Sequence, residues 1–233
     1  MAVPHDPNFC FPVPARLQTD RVELVPFIPS EHADAFFASA GAHPELFTYL
    51  PWGPFGTAHD FVSTVIEQRI QPNLGMVLFA VFDTAQAIDP QLAGIIGLLD
   101  TSAANLCTEI GFVITLPHFQ RTHVTGNAVG LLLRWALELP SEGGLGLRRV
   151  VWKANAHNTR SVRAAERLGF CKEAVLRWDR VLPPWKTDSG NGGGTRAGDP
   201  RADCLSRDTV VLSLCWDDWE AGGRESVNNI IQR

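Results

Sequence analysis

Apolar and polar positions in the first third of the chain predict one strand followed by two helices. Arg21–Phe27 alternates with a period of two, which is typical of a strand. Residues 30–40 are predicted to form a short helix with Ser30 as its N-cap, because acidic residues follow in the first turn. Thr57 can cap a second helix. The apolar face of that helix consists of Phe61, Val65 and Ile66.

Short apolar runs in the middle of the chain predict three strands. They are Val77–Phe82, Ala93–Leu99 and Glu109–Thr115, and a turn-rich stretch from Asp83 to Pro90 separates the first two. Pro117 ends the third strand, because proline has no N–H for a strand ladder.

The strongest helical pattern begins at Thr125. Apolar residues recur there with a period of 3.6, and Pro140 with the glycines after it ends the helix. The residues on this face are Val129, Leu132, Leu133, Ala136 and Leu137.

The remaining pattern predicts a strand, a helix and two further strands. Asn158 is the predicted N-cap of the helix and Gly169 its C-terminal stop. The three strands are Arg149–Ala154, Glu173–Trp178 and Thr209–Cys215. The order of elements favours an α/β (α+β) domain built on a single mixed sheet.

Three segments lack such a pattern. Residues 1–16 are proline-rich and are interpreted as an N-terminal arm. Residues 186–207 have almost no apolar side chains, so we expect a flexible insertion loop that cannot bury itself. Residues 216–233 are expected to end in a short polar helix or tail, and with 221–233 set apart as the C-terminal tail one domain remains over residues 17–220.

Composition excludes several classes of protein. A net charge of −5 argues against a broad basic face for nucleic acid. The five cysteines are scattered without metal-ligand spacing, so free thiols and no metal are expected. No secretory signal and no membrane-length apolar run are recognised. A cytoplasmic protein without a membrane partner is therefore expected.

The segment Phe119–Ala128 carries the first chemical signal. It follows a predicted strand and opens the strongest helix, and a helix N-terminus with free N–H groups is an anion site. Gly126 permits close approach of a ligand to the backbone, while Arg121 and His123 can add positive charge. The same arrangement with one glycine is also common in proteins without such a ligand.

Here the sequence resembles the GNAT superfamily of acetyltransferases, and within it the RimJ/RimL-like enzymes. The family's loop Gln/Arg-x-x-Gly-x-Gly/Ala corresponds to Gln120, His123 and Thr125, so both motif glycines are replaced. Thr125 is β-branched and does not readily adopt a positive φ. Five further segments resemble the family in the right order: Leu17–Leu24, Leu92–Asp100, Asn158–Phe170, Glu173–Trp178 and Arg207–Glu220.

The resemblance implies a GNAT fold, with a mostly antiparallel sheet flanked by helices and splayed strands four and five. It implies acetyl-CoA as cosubstrate, with its pantetheine arm along Phe112, Val113 and Ile114. Asn158 and Ser161 are then expected near the thiol. The loop residues expected to bind the cofactor are Gln120, Arg121, Thr122, His123, Val124, Thr125, Gly126 and Asn127.

The resemblance also suggests roles in acetyl transfer to an amine. Glu109, at the start of strand four, is the candidate base, and the apolar residues after it can raise its pKa; an exposed strand-end carboxylate is the alternative. The family's usual tyrosine acid is replaced by Ala165. Ser161 is the candidate substitute, or only a capping residue, and His157 is an alternative base.

The acceptor is expected to be a primary amine of a small molecule or of a protein N-terminus. Candidate pocket residues are Trp52, Phe55, Trp178 and Trp185, and each can instead be packing under a loop. The replaced glycines and the missing tyrosine leave an alternative open, a catalytically degenerate acyl-CoA sensor. The sequence leaves open whether the protein is a monomer or a homodimer.

Overall fold

A computed structural model describes residues 7–85 and 89–232. Its described residues form one eight-stranded sheet in the order β1-β2-β3-β4-β5-β6-β8-β7. Neighbouring strands are antiparallel except β5 and β6, which run parallel. The strands are β1 (Leu17–Gln18), β2 (Val22–Pro26), β3 (Val77–Asp83), β4 (Gln91–Ser102), β5 (Cys107–Thr115), β6 (Arg149–Asn155), β7 (Cys171–Val181) and β8 (Ser206–Cys215).

Strand β3 is buried at five consecutive positions, so its side chains are covered on both faces of the sheet. Helices lie on both faces. Phe79 of β3 packs edge-on against Trp135, with ring centroids 5.8 Å apart. The helices are α1 (Pro29–Ala40), α2 (Ala58–Phe61, continued as a π-helix over Val62–Ile70), α3 (Val124–Leu137), α4 (Thr159–Arg167), α5 (Trp216–Asp218) and α6 (Arg224–Gln232), with a π-helical turn (Trp219–Gly223) between α5 and α6.

The predicted α/β class and the single mixed sheet are confirmed. The predicted face of α3 is entirely buried, since Val129, Leu132, Leu133 and Ala136 are 0% exposed and Leu137 is 4% exposed. Thr57 and Asn158 cap their helices as predicted, by accepting hydrogen bonds from the N–H groups of Asp60 and Ser161. The prediction for Ser30 is wrong, because Ile28 is the N-cap of α1 and Pro29 its first residue.

One peripheral segment differs from the expectation drawn from its polarity. Segment 186–207 was expected to bury nothing, yet Lys186, Ser189 and Cys204 are buried and β8 already begins at Ser206. Lys186 Nζ donates to the carbonyl of Phe47 at 2.5 Å, which ties this connection to the segment that precedes α2. Polar side chains can therefore anchor a segment that has little apolar surface to bury.

The chain end, expected to be a short polar helix or tail, forms the helix α6 after a non-helical residue at Gly222. Val227 of α6 is fully buried and Ile231 is 8% exposed, and the helix packs on α3. Arg224 strengthens this contact through an ion pair with Glu138 at 2.7 Å. In the described part of the chain, no helix combines the length and apolar character needed to cross a membrane.

Candidate active site

Strands β5 and β6 separate after a short region of pairing and leave a V-shaped opening in the sheet. They pair only from Cys107 with Arg149 to Glu109 with Val151. On the other side, two residues of β5 oppose one residue of β4 between Gly111 and Ile114, which is a β-bulge, and Phe112 takes a φ of 51° there. The predicted splay of strands four and five is thus confirmed. These strands are β5 and β6 here, because the short β1 is counted first.

Glu109 lies at the apex of the opening, on the last pair of the β5–β6 ladder. Its side chain is 11% exposed and its Oε2 lies 2.7 Å from Nζ of Lys153, which also contacts Asp100 at 3.1 Å. Burial raises the pKa of Glu109, and the hydrogen bond and charge of Lys153 act in the opposite direction. The exposed carboxylate considered as an alternative is therefore excluded.

The turn before α3 forms without the family's glycines. Arg121 takes the left-handed conformation with a φ of 63°, while His123 and Thr125 are helical in geometry. Thr125 therefore does not need a positive φ. Its hydroxyl lies 2.7 Å from the hydroxyl of Thr115. Thr122 supports the turn by donating to the carbonyl of Phe119 at 2.6 Å.

The start of α3 has the properties of an anion site. His123 makes no side-chain cap, and among the described residues the N–H groups of Thr125 and Gly126 have no hydrogen-bond partner. Both residues line a cleft of about 730 Å³. Its other wall is α4, through Ala164 and Arg167. The cleft therefore exposes unpaired N–H donors at the positive end of a helix.

Three arginines surround this cleft. Arg121 was predicted, whereas Arg21 on the β1–β2 turn and Arg167 at the end of α4 were not. Their positive charge suits an anionic ligand such as a phosphate, because guanidinium groups bind phosphate oxygens in a fork geometry. Sequence pattern alone does not find Arg21 and Arg167, since the fold brings them to the turn from distant parts of the chain.

Several predicted cofactor residues place their side chains elsewhere. His123 lines the cleft, but its Nε2 lies 3.1 Å from Asp83 Oδ1 in a partly buried pair. Val124 and Asn127 are 1% and 0% exposed, so their side chains belong to the core. Asn127 accepts from Thr19 at 2.8 Å, and Gln120 donates to the carbonyl of Thr115 at 3.2 Å.

The first turn of α4 holds the two residues expected near the thiol. Asn158 Oδ1 accepts from the N–H of Ser161 at 3.1 Å, and Ser161 Oγ accepts from the indole of Trp152 at 2.9 Å. The Ser161 hydroxyl proton is not used in these contacts. Ala165, in place of the family's tyrosine, is fully buried, and His157 is exposed in the loop before α4.

Three of the four predicted acceptor aromatics lie together. Trp52 stacks on Phe55 with centroids 6.0 Å apart, and it contacts Phe112 at the bulge at 5.4 Å. Trp185 joins them by donating from its indole to the carbonyl of Gly53 at 3.2 Å. Trp178 does not join this group through a ring contact in the described structure; its ring packs against Gly193.

A second cavity of about 450 Å³ adjoins these aromatics. It is lined by Arg69 of α2, by Arg180 and Val181 of β7, and by residues of the two loops that meet here. The loop residues are Pro51, Pro183, Pro184, Trp185 and Arg201. The sequence analysis did not identify the three arginines, because they lie far apart in the chain and belong to no motif.

Solved structures with this architecture are acetyltransferases of one fold class. A GCN5-related N-acetyltransferase from Brucella melitensis is similar with a TM-score of 0.74 and 24% identity, covering 94% of this chain and 86% of its own. A protein from Chromobacterium violaceum described as a GNAT-family acetyltransferase is similar at 0.71 and 25% identity, with 94% and 98% covered. The microcin C7 self-immunity acetyltransferase MccE, solved with acetyl-CoA and AMP, is similar at 0.62 and 21%, with 84% and 93% covered.

The sequence profile of the acetyltransferase (GNAT) domain matches residues 21–171, which is more than half of the 233 residues. The chain therefore belongs to the GNAT acetyltransferase family. Acetyl-CoA is the acetyl donor of this family and the cosubstrate of this protein. A search among curated proteins gives no match.

Proposed function

We propose that the protein transfers the acetyl group of acetyl-CoA to a primary amine by direct attack in a ternary complex. The observation that carries this proposal is the position of Glu109, a buried carboxylate at the apex of the V. The cleft with three arginines lies on the α3 side, and the aromatic group of Trp52 contacts the bulge. A base, a phosphate site and an acceptor wall thus surround one opening.

Acetyl-CoA supplies a thioester whose C–S bond breaks as the amine N–C bond forms. Its phosphates would bind Arg21, Arg121, Arg167 and the free N–H groups of Thr125 and Gly126. Its pantetheine arm would lie along Phe112–Ile114, because β5 does not pair with β6 beyond Glu109. Unpaired strand N–H and C=O groups require such partners.

Glu109 would act as the base that takes a proton from the amine. Its raised pKa suits this role, because a base is most effective when its pKa approaches the working pH. Lys153 keeps the carboxylate ionised in a buried position. Protonating Glu109 removes the base, so activity should fall as the pH drops through its pKa.

Ser161 would stabilise the departing sulfur. Its Oγ accepts from Trp152, so its own proton remains free to donate. Asn158 would hold Ser161 in place through the cap of α4. A serine donates a hydrogen bond more readily than a proton, so stabilisation of the thiolate replaces the acid role of the missing tyrosine.

The test combines two measurements on the full chain. Calorimetry with acetyl-CoA, with ATP as a control, measures cosubstrate binding, and release of free thiol measures transfer to a panel of primary amines. We expect acetyl-CoA to bind with micromolar affinity and at least one amine to increase thiol release above hydrolysis. Binding without transfer to any amine would contradict the proposal.

That last outcome would favour a second candidate function, a non-catalytic acyl-CoA sensor. The buried Ala165 in place of the tyrosine is the observation behind it. The retained pair of Glu109 with Lys153 argues against it, because a sensor has no need to bury a carboxylate at the apex.

A further inference from the structure

The second cavity contains guanidinium groups without matching carboxylates. Arg69 is partly buried, yet among the described residues it has no ion-pair partner, and its buried Nε has no hydrogen-bond partner. The side chain of Arg201 hydrogen-bonds to the sulfur of Cys204 at 3.2 Å and, within the described ranges, forms no ion pair. Arg180 has one carboxylate nearby, with its Nε 3.5 Å from Asp179. Among the described residues, these three guanidinium groups therefore have one carboxylate at ion-pair distance, while Asp100 and Glu109 act on Arg69 without an ion pair.

The surroundings add to this positive charge. Arg207 pairs with Arg180 across the β7–β8 ladder, is 6% exposed and donates to Thr209 and to the carbonyl of Tyr49 rather than to a carboxylate. Burial lowers the pKa of Arg69 and of Arg207, and the charge of Arg180 lowers both further. Such mutual repulsion in a partly buried site costs free energy unless an anion enters.

The cavity is also close to the proposed chemistry. The negative charge of Glu109 acts on both Arg69 and Arg207. Pro51 in its wall precedes Trp52, whose ring contacts Phe112 at the bulge. The cavity therefore lies on the acceptor side of the opening, away from the cleft proposed for the phosphates of coenzyme A.

We infer that the acceptor amine of this enzyme carries an oxyanion, a carboxylate or a phosphate, which binds Arg69 and Arg180 while Trp185 and the prolines contact its apolar part. Guanidinium groups bind both oxyanions in a fork geometry, so the two share one chemistry. The inference rests on the proposed amine acetylation and defines the class of amine. It disfavours polycationic amines, which the arginines would repel.

The experiment compares amines that differ only in the oxyanion. Phenylalanine is paired with phenethylamine for the carboxylate, and phosphoethanolamine with ethanolamine for the phosphate. We expect wild-type kcat/KM to be at least about tenfold higher for the oxyanion-bearing member of one pair, since charge-assisted hydrogen bonds are strong. The pair with the larger ratio identifies the oxyanion.

Variants then connect this preference to the cavity. Arg69→Met and Arg180→Met should each lower the ratio of kcat/KM for the oxyanion-bearing amine to that for its plain partner by about tenfold. The ratio is the readout because either charge also acts on Glu109, which affects both amines alike. Arg177→Gln, on the same strand but exposed and outside the cavity lining, is the matched control and should leave the ratio unchanged. Equal loss for both members of a pair, or no preference in the wild type, would overturn the inference while leaving amine acetylation intact.

If no amine is acetylated, the proposed function fails and binding alone tests the cavity. Calorimetry with phenylalanine and phosphoethanolamine, in the presence of coenzyme A, should then show binding that their plain partners lack. Arg69→Met should abolish that binding. Absence of binding in the wild type would overturn the inference as well.

Discussion

The two ends of the opening use arginines in different ways. At the cofactor end, Arg21, Arg121 and Arg167 surround an open cleft whose floor is the start of α3. At the acceptor end, Arg69 and Arg180 lie partly buried under a loop and the β7–β8 connection. A phosphate at the first end can also use the backbone N–H groups of a helix N-terminus, whereas three of the residues that line the second end are prolines without an N–H.

This difference predicts unequal tolerance to substitution. Loss of one arginine at the cofactor end leaves the helix N-terminus and two further arginines, so binding weakens by degrees. At the acceptor end no helix N-terminus of the described structure lines the cavity, and selectivity should disappear with a single side chain. The predictions below test this contrast around Glu109, which separates the two ends.

The largest effect is expected from Glu109→Gln. The amide cannot accept the amine proton, so kcat should fall by about 10²- to 10⁴-fold while the Kd of acetyl-CoA stays unchanged. The rate of thiol release measures kcat, and calorimetry measures the Kd of acetyl-CoA. Glu67→Gln, an exposed change on α2, is the control. Activity near that of the wild type would remove Glu109 from the role of base.

The next effect concerns the cofactor end. Arg121→Ala and Arg167→Ala should each raise the Kd of acetyl-CoA by about tenfold, and less so at high salt, because charge-assisted contacts to phosphate are lost. The kcat at saturating acetyl-CoA should not change. Arg163→Ala, exposed on α4 and outside the cleft lining, should have no effect on either. An unchanged Kd in both variants would place the phosphates elsewhere.

A third effect should appear in the pH profile. Lys153→Met removes the ammonium that lowers the pKa of Glu109, so burial and the charge of Asp100 raise that pKa further. Because the base must be ionised, the acidic limb of the kcat profile should move to higher pH. Lys172→Met, an exposed control on β7, should leave the limb in place. If the acidic limb of the kcat profile does not move in Lys153→Met, a group other than Glu109 determines that limb.

The smallest effect is on stability and lies outside both ends. Arg149 donates to both oxygens of Glu173, and these bonds with that of Ser213 lower the pKa of Glu173 from 4.5 to about 2. A lowered acid pKa stabilises the fold above about 4.5, and the contribution is lost as the pH falls from 4.5 through 2.

Glu173→Gln should therefore lower the free energy of unfolding by about 0.5–1 kcal/mol at pH 7, since the pair is partly exposed. The difference from the wild type should shrink below pH 4.5 in urea unfolding series. Glu166→Gln, an exposed residue of α4, is the control. A difference that is independent of pH would assign the effect to packing instead.

The sequence predicted the elements that carry regular apolar periods. The face of α3, the caps at Thr57 and Asn158, and the main strands in their succession along the chain could be predicted, because each depends on nearby residues. The order of the strands in the sheet, with β8 between β6 and β7, was not predicted. The start of α1 was missed by two positions, since Pro29 is suited to the first helical turn and needs no side-chain cap.

The candidate site was predictable only where it is local. The turn before α3 could be found from a strand followed by a helix, although its left-handed residue, Arg121, could not. The arginine cavity could not be predicted, because Arg69, Arg180 and Arg201 come from α2, β7 and a loop. The burial of Lys186 also depends on a carbonyl 139 positions away.

The short pairing of β5 with β6 has a mechanical consequence. In the described structure, β5 and β6 pair only over the short ladder that ends at Glu109. Helix α3 packs on both strands and so connects the two halves of the sheet. This helix therefore holds β5 and β6 at a fixed separation beyond their short ladder. Shortening a side chain on the buried face of α3 would make the separation of β5 and β6 less defined, in addition to destabilising the core. The acyl group must fit within that separation.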